Sequence, residues 1–358
     1  MQYPTSEITL QLDKLPHEHY LPGEQVKCKV MLKVDENIQI QSISVQFKGR
    51  AKTFWTNETL DCGIEEFNGH EQYFSSFQYI FGVQNGPQQL VKPGIYAFDC
   101  HYRLPSHLPD SMKSLYGQVV YSVNVQVQTN SHEIKQKEVL RDFRVLSQLD
   151  LNNYPNLKCK VDSLTKEIYG CQCCSCITLC KSRVIDMLTV VPCGGYVPGD
   201  KIPIFIEIDN NSKKSMESVL CEFYEIMTFT TLEPRLDTKK VVRLLWEHKF
   251  NGIPAGENRF FQTNLTLKPE YEFKVLYGCG IIDVKYFIKT TGVIFGHPKQ
   301  VKNEIELMIG TKPFDDAETL KNNVKKDISM KKIIRGSMLD GDSSDATSEK
   351  TPLIPKKN

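Results

Sequence analysis

Short runs in which apolar and polar residues alternate dominate the chain. Residues 26–34, 43–48 and 96–104 follow this pattern, with lysine, glutamine or serine at many of the intervening positions. A period of two places one face of a β-strand in a core and the other in water. Proline and glycine mark turns at short spacing, and helical periodicity is scarce before residue 310. The pattern predicts antiparallel β-sandwiches.

One turn-and-strand motif occurs twice. The segment "YLPGEQVKCKV" begins at Tyr20, and "YVPGDKIPIFI" begins at Tyr196. Proline presets the first central position of a type II turn, and glycine supplies the positive φ of the second. Glu24 and Asp200 are then predicted to open equivalent strands.

A second pair of segments repeats further along the chain. "LYGQVVYSVNVQV" begins at Leu115 and "LYGCGIIDVKYFI" at Leu276. Aligned on Gly117 and Gly278, their alternation stays in phase and Tyr121 falls opposite Ile282. The repeat is too long for a short-period solenoid, so it predicts two copies of one β-sandwich in tandem.

Length, charge and the chain start narrow the class of protein. The 358 residues are comfortable for two domains, and a net charge of +1 gives no indication of nucleic-acid binding. The start, "MQYPTSEITL", lacks the basic and apolar regions of a signal peptide. No apolar run approaches the roughly 18–20 residues of a membrane helix. We therefore expect a cytoplasmic protein whose 12 cysteines are mostly reduced or bind metal.

Enzyme motifs are scarce in this sequence. It has no glycine-rich phosphate loop and no G-x-S-x-G elbow, and its eight histidines are scattered. We expect neither an enzyme nor a cofactor.

Five segments in order carry a family resemblance. They are the Pro-Gly-Glu strand, "SISVQFKGRAKTFW", "KPGIYAFDCHYRLPSHLPDSM", "LYGQVVYSVNVQV" and "GGYVPGDKIPIFIEIDNNS". This order resembles the arrestin-domain-containing proteins, or α-arrestins, a group that includes the thioredoxin-interacting protein. The resemblance implies two arrestin-type, immunoglobulin-like antiparallel β-sandwiches. We predict the first at 1–150, a Cys-rich linker at 151–178, the second at 179–312, and a disordered tail at 313–358.

The resemblance also implies a function. Proteins of this family are cytosolic adaptors that bind the cytoplasmic parts of receptors and transporters and connect them to ubiquitin ligases and to endocytic or endosomal machinery. The implied location is the cytoplasm, with recruitment to the plasma membrane and endosomes. The sequence departs from the family in one respect, because it contains no Pro-Pro dipeptide and so no Pro-Pro-x-Tyr motif for ligase docking. The alternative is a redox- or metal-responsive regulator of the thioredoxin-binding type, acting through its cysteines.

The segment "CQCCSCITLC" allows three interpretations. Cys171, Cys173, Cys174 and Cys176 form a candidate zinc site, although the spacing is not the usual Cys-x-x-Cys pair. Palmitoylation of Cys173, Cys174 and Cys176, beside Lys181, would hold the segment to a membrane. The third interpretation, a linker that tolerates cysteine, needs no chemistry.

The C-terminal segment changes composition twice. "KNNVKKDISMKKIIRG" is basic and mildly amphipathic, which suits either a solvated linker or peripheral contact with an anionic membrane. The following residues are rich in serine and aspartate, as in disordered chains.

A short motif stands near the end of this segment. Glu349, Leu353 and Ile354 have the spacing of an acidic dileucine signal, which clathrin adaptors bind through an apolar pocket with a basic rim. Nearby acidic residues suggest phosphorylation sites that would add negative charge, at Ser343, Ser344, Thr347 and Ser348.

Overall fold

The computed structural model describes residues 6–58, 63–129, 138–168 and 184–316. Within these ranges the chain forms β-strands and three short 3₁₀ segments. The strands divide into two tandem sandwiches, which confirms the predicted all-β fold. The predicted disordered tail from residue 317 onward lies outside the described residues.

The first sandwich is built on two main sheets. Its strands are β1 (Glu7–Leu12), β2 (His19–Tyr20), β3 (Gln25–Val34), β4 (Ile38–Ile40), β5 (Ser42–Glu58), β6 (Ile64–Gly82), β7 (Gln89–Val91), β8 (Gly94–Arg103), β9 (Met112–Lys113), β10 (Gly117–Gln128) and β11 (Glu138–Val145). One sheet has the order β1-β3-β8, and the other has the order β2-β11-β10-β5-β6, with β9 paired to β10. Strands β4 and β7 form a separate pair.

The predicted alternation of β3 is confirmed. Val26, Val30 and Leu32 are buried, and the lysines at 27, 29 and 33 are exposed. The buried side chains face the opposite sheet, where β5 and β10 contribute Phe47 and Tyr121. Burial of this apolar surface, at about 25 cal/mol per Å², holds the two sheets together.

The second sandwich repeats this architecture. Its strands are β12 (Val161–Ile168), β13 (Val184–Val191), β14 (Gly195–Tyr196), β15 (Lys201–Asn210), β16 (Met216–Thr231), β17 (Asp237–Ile253), β18 (Asn258–Thr266), β19 (Ile282–Ile294) and β20 (Val301–Ile309). The sheet orders are β12-β13-β15-β18 and β14-β20-β19-β16-β17. The alternation of β15 is less regular than that of β3 because Phe205 is also buried, stacked at 6.2 Å on Phe260.

The two Pro-Gly turns have the predicted geometry. Gly23 has φ +79° and Gly199 has φ +93°, so both occupy the left-handed region that favours glycine. In each turn the N–H of the acidic residue donates to the carbonyl three residues earlier, at 3.0 Å in both copies. The carboxylates of Glu24 and Asp200 accept the N–H of that same earlier residue, at 2.8 and 3.0 Å. The acidic residues therefore stabilise the turns, and each strand begins one residue later than predicted.

Strand pairing corrects the second sequence alignment by four residues. Tyr121 lies opposite Gly49 in the first sandwich, and Tyr286 lies opposite Glu225 in the second. Gly49 and Glu225 are equally far from their Pro-Gly turns, so Tyr286, and not Ile282, is the counterpart of Tyr121.

The matching Tyr-Gly dipeptides caused the misalignment. Gly117 begins β10, whereas Gly278 has φ +88° and lies in a turn before β19. A shift of four is even, so it leaves the period-two pattern in phase and the pattern cannot detect it.

The predicted linker at 151–178 differs from the structure. It contains the 3₁₀ segments Leu151–Asn153 and Pro155–Lys158 and all of β12, which pairs with β13 along its length. The side-chain amide of Asn303 donates to the carbonyl of Ser163 at 2.8 Å, which ties β12 to the opposite sheet. This part of the segment therefore belongs to the second sandwich.

The predicted end of the second domain also differs. Phe314, beyond the predicted boundary at 312, is buried in the core of the second sandwich. The other boundaries stay predictions.

Candidate functional site

An apolar junction joins the two sandwiches. Phe229, Leu276 and Ile282 of the second sandwich are buried in the core of the first. The Phe229 ring meets that of Tyr116 edge-on at 6.0 Å. The Thr53 hydroxyl donates to the carbonyl of residue 230 at 2.6 Å. Shared burial of this kind makes the pair of domains one packed unit.

Asp110 is the central polar group of this junction. Its side chain is 3% exposed, and its carboxylate accepts the N–H of Ser147 at 2.6 Å and of Val275 at 2.7 Å. The Asp110 N–H in turn donates to the carbonyl of Val275 at 2.9 Å. Burial raises the pKa of Asp110, and the two N–H donors oppose that shift. One carboxylate thus connects a loop of the first sandwich with a loop of the second.

Further polar contacts lie around this centre. The carboxylate of Glu71 accepts the N–H of Gly280 at 2.7 Å. Arg235 pairs with both oxygens of Glu65, with an Nη2–Oε2 distance of 2.9 Å. Arg235 is largely exposed, so this ion pair contributes to orientation more than to stability.

An ion pair between the buried Glu225 and the partly exposed Arg243 fixes the segment that meets Asp110. Glu225 is 1% exposed, and Arg243 donates to its two oxygens at 2.9 and 3.0 Å. Arg243 also donates to the carbonyl of Tyr271 at 2.7 Å. The Tyr286 hydroxyl donates to Glu225 at 3.2 Å and accepts the N–H of Lys274 at 3.0 Å. These bonds hold residues 271–274 in place, immediately before Val275.

A cavity of about 540 Å³ lies beside the junction. Its walls include Tyr154, Val275, Tyr277, Lys285 and Met308. Lys285 is paired with Glu306 at 3.0 Å, so part of the polar wall is already neutralised. A cavity of this volume and mixed lining can accept the side chains of a partner.

The outward surface of the larger sheet in the first sandwich presents exposed apolar residues on a polar background. Four residues form one row across this sheet, each directly opposite the next on the neighbouring strand. They are Phe77 on β6, Gln46 on β5, Asn124 on β10 and Leu140 on β11. Three inter-strand spacings separate Phe77 from Leu140, about 14 Å. We call this surface, with the neighbouring Tyr79, the outer sheet face.

Phe77 and Tyr79 form an aromatic pair on the outer sheet face. Their rings meet edge-on at 5.1 Å, and the residues are 50% and 37% exposed. Leu140, on the far side, is also exposed. Two aromatic rings beside half-buried amides resemble the anchor-and-rim composition of protein-binding surfaces.

The strand that carries this aromatic pair is an edge strand. Within the described residues, β6 pairs as a strand with β5 alone, apart from an isolated bridge between Asn68 and Glu233 at its far end from Phe77 and Tyr79. An edge strand offers unpaired N–H and C=O groups to an added strand. The outer sheet face and its edge together suit an extended peptide.

The site residues predicted from sequence lie outside the described residues. These are Cys171, Cys173, Cys174 and Cys176 of the cluster, Glu349, Leu353 and Ile354 of the tail motif, and Ser343, Ser344, Thr347 and Ser348. They stay predictions. Cys193, which follows the cluster, is buried, and its thiol donates to the carbonyl of Gly195 at 3.3 Å.

The described part of the chain contains neither a metal-binding cluster nor a membrane-spanning helix. No group of three or more His, Cys, Asp or Glu residues there is arranged to hold a metal ion. Among the same residues, no helix is long and apolar enough to cross a membrane.

Comparisons with known proteins match this two-sandwich architecture. The family model of the arrestin (or S-antigen) N-terminal domain matches residues 8–152, and that of the C-terminal domain matches residues 181–314. The chain is similar to arrestin domain-containing protein 17 of Caenorhabditis elegans, with 24% identity over 78% of this chain and 67% of the relative. It is also similar to human arrestin domain-containing protein 4, with 25% identity over 87% of this chain and 72% of the relative. Human arrestin domain-containing protein 5 is 22% identical over 66% of this chain and 68% of the relative.

The tandem sandwiches and their shared junction define a two-domain binding scaffold. The chain belongs to the arrestin family, with the arrestin domain-containing proteins, or α-arrestins, as its relatives. Proteins of this family are adaptors and not enzymes, so the general function is that of an arrestin-type adaptor.

Sequence reasoning did not identify Asp110, Phe77 or Tyr79. Asp110 stands in "LPDSM", where proline and serine predict a loop and nothing indicates burial. The run "YFSSFQYIF" at 73–81 has too many aromatic residues for its two faces to be separated by pattern. Ser75, two residues before Phe77 and therefore on the same face, is the signal that this face has a polar position.

Proposed function

We propose that the protein is a cytosolic adaptor that binds cytoplasmic segments of membrane receptors or transporters and links them to endocytic and endosomal transport. The family supports the adaptor role, and the outer sheet face supports peptide binding. The observation that carries the proposal is the exposed Phe77–Tyr79 pair on an edge strand.

The outer sheet face suits an extended segment. A peptide added along β6 would gain main-chain hydrogen bonds from the open edge. One of its apolar side chains would contact the rings of Phe77 and Tyr79. The sheet is preformed, so the entropic cost of binding falls mainly on the peptide.

The junction gives this adaptor a fixed geometry. Asp110 and the buried residues around Phe229 keep the two sandwiches in one arrangement. A partner held on the first sandwich therefore has a defined position relative to a partner held on the second.

The C-terminal tail would connect the protein to the endocytic machinery. We propose that Glu349, Leu353 and Ile354 bind a clathrin adaptor, and that phosphorylation nearby adds negative charge to the motif. Leu353→Ala together with Ile354→Ala should reduce capture of clathrin adaptors from lysate, and unchanged capture would refute the motif. A ligase connection through Pro-Pro-x-Tyr is not proposed, because the sequence lacks that motif.

A binding assay tests the cargo face. Purified full-length protein is titrated against a peptide array of cytoplasmic segments from integral membrane proteins. Phe77→Ala with Tyr79→Ala should weaken binding of the positive peptides at least about tenfold, the effect of losing one anchoring aromatic residue.

A matched variant on the second sandwich controls for lost apolar surface. Leu236 and Phe295 are also exposed, so Leu236→Ala with Phe295→Ala removes similar surface elsewhere. Equal affinity for wild type and the Phe77/Tyr79 variant would refute the assignment of the face. An equal loss in both double variants would mean that binding is nonspecifically hydrophobic.

A further inference from the structure

Two buried cysteines lie directly opposite each other in the smaller sheet of the first sandwich. Cys28 on β3 pairs in register with Cys100 on β8. They are 5% and 4% exposed, and both are free thiols. Directly opposed residues of neighbouring strands project from the same face of a sheet.

The hydrogen bonds between β3 and β8 fix the separation of the two cysteines. The N–H of Leu104 donates to the carbonyl of the opposed Glu24 at 2.9 Å, so Glu24 and Leu104 are a hydrogen-bonded pair. Such pairs recur at every second residue of an antiparallel ladder, so Cys28 and Cys100 are also one of them. Their Cα atoms are therefore about 5.5 Å apart. Disulfides form at Cα separations of roughly 4.4–6.8 Å, so closure requires side-chain rotation and little backbone movement.

The duplicated sandwich provides an internal comparison. Leu267 donates to Asp200 in the second sandwich as Leu104 donates to Glu24 in the first. Counting back from these bonds, the counterparts of the two cysteines are Ile204 and Thr263, which pair in the same register. The fold thus packs this position without any cysteine, and the opposed thiols are a property of the first sandwich alone.

The two thiols interact. The hydrogen bond from Cys28 lowers the pKa of Cys100, while the same bond, together with burial, raises the pKa of Cys28. Cys221, a buried cysteine of the second sandwich without such a neighbour, has its pKa raised by burial to about 12. Because the thiolate is the reactive form, we expect Cys100 to react first of the pair.

An open depression of about 530 Å³ lies over the sheet at this pair. Its lining includes both cysteine residues together with Leu12, Lys27 and His101. The thiols themselves belong to the buried core, so a small oxidant reaches them through local opening of the strand β8.

We propose that Cys28 and Cys100 form a redox-active dithiol that a peroxide converts reversibly into a disulfide. The Cys100 thiolate attacks one peroxide oxygen, the O–O bond breaks, and hydroxide leaves to become water after taking up a proton. The resulting sulfenic acid is attacked by the Cys28 sulfur, a second water leaves, and the S–S bond forms. Two thiols are oxidised by two electrons, and the peroxide is reduced to two waters. A dithiol reductant reverses the step by exchange.

The position of the dithiol ties it to the edge of the sandwich. Closure would bind the edge strand β8 covalently to β3. The amide of Gln78, between Phe77 and Tyr79, donates to the carbonyl of His101 at 3.0 Å, next to Cys100. This hydrogen bond therefore connects β6, the strand that carries Phe77 and Tyr79, with the residue next to Cys100. Disulfide formation itself does not depend on cargo binding at the outer sheet face.

Differential alkylation of the native full-length protein tests this proposal. The protein is treated with hydrogen peroxide, unfolded in the presence of one maleimide that blocks every free thiol, then reduced and labelled with a second, heavier maleimide before peptide mass spectrometry. We expect Cys28 and Cys100 to carry the heavier maleimide. An unreduced digest should contain a linked Cys28–Cys100 peptide pair, lighter by two hydrogen atoms, that dithiothreitol reverses. Cys221 should stay a free thiol over the same range of peroxide.

Variants and two adverse outcomes complete the test. Cys100→Ser should abolish the linked peptide, and Cys221→Ser should leave it unchanged. If Cys28 and Cys100 stay as unreactive as Cys221 while other cysteines oxidise, the pair is only core packing and the proposal is wrong. Linkage of either residue to a different cysteine would also overturn it. The labelling pattern of the wild-type cysteines tests the proposal even if Cys100→Ser does not fold.

Discussion

Replacing Asp110 with alanine should destabilise the junction strongly. The change leaves the N–H groups of Ser147 and Val275 without the carboxylate that accepts them at 2.6 and 2.7 Å. An unsatisfied buried N–H costs about 1–3 kcal/mol, so two such groups cost about 2–6 kcal/mol. Asp99→Ala is the matched control, because that carboxylate is exposed and its loss should cost no more than about 0.5 kcal/mol.

The chain has two tryptophans, one in each sandwich, which makes the assay domain-specific. Trp55 lies on β5 and Trp246 on β17. Urea unfolding of single-tryptophan variants reports the midpoint of each sandwich separately. With Asp110 intact the two transitions should coincide, and Asp110→Ala should lower and separate them. An unfolding free energy within about 0.5 kcal/mol of wild type, with coincident transitions, would refute the role of Asp110 as a clamp.

The same residue predicts a pH dependence. Burial raises the folded-state pKa of Asp110 above its ordinary value of 3.8. The folded protein therefore binds this proton more tightly than the unfolded chain, so the stabilisation is fully present below pH 3.8 and is lost as pH rises through the raised pKa. The stability of wild type relative to Asp110→Asn should fall as pH increases across that window. Urea midpoints of both proteins at a series of acidic pH values measure it, and a constant difference would contradict the reasoning.

Two further substitutions test the packing around the junction. Arg243→Ala leaves the buried Glu225 without its ion-pair partner and should lower the unfolding free energy, measured in urea, by about 2–4 kcal/mol. This cost is smaller than that of breaking a fully buried pair because Arg243 is partly exposed. A loss below about 0.5 kcal/mol would show that the pair is not needed. Gly49→Ala places a Cβ at 2.5 Å from the Phe74 ring and 2.7 Å from the Tyr121 ring, which should lower stability by about 1–3 kcal/mol. Gly280→Ala, whose Cβ would find its nearest atom at 3.5 Å, is the control, and equal melting temperatures for the two variants would contradict the steric account.

Local patterns were sufficient to predict the fold class. The alternation around Cys28 and the turns at Gly23 and Gly199 depend on neighbouring residues, so the sequence displays them directly. The duplication was equally visible, because both copies keep the same turn chemistry.

Registers and long-range partners were not accessible in this way. The alignment on Gly117 and Gly278 was wrong by four residues because an even shift preserves alternation. The strand β12 was missed because its half-buried positions carry mostly polar residues, whereas Leu164 and Ile168 are exposed. Its contact with Asn303 comes from 140 positions away. Short-range patterns carry no information about such partners.

The candidate site was the least predictable part of the structure. Asp110 acquires its role from the N–H of Val275, which is 165 residues distant. Phe77 and Tyr79 could equally have faced a core, and the orientation of β6 on β5 alone decides that they are exposed. The motifs that sequence reasoning did identify, in the cysteine cluster and the tail, lie outside the described residues.

Proximity labelling in intact cells tests the adaptor account most directly. Full-length protein is compared with a chain ending at Asp316, which retains the buried Phe314, and with the Phe77→Ala, Tyr79→Ala variant. The account predicts that wild type labels membrane receptors or transporters together with endosomal coat proteins. The shortened chain should lose the coat proteins and keep the cargo, and the face variant should lose the cargo. Absence of both cargo and coat proteins from the wild-type set would contradict the account.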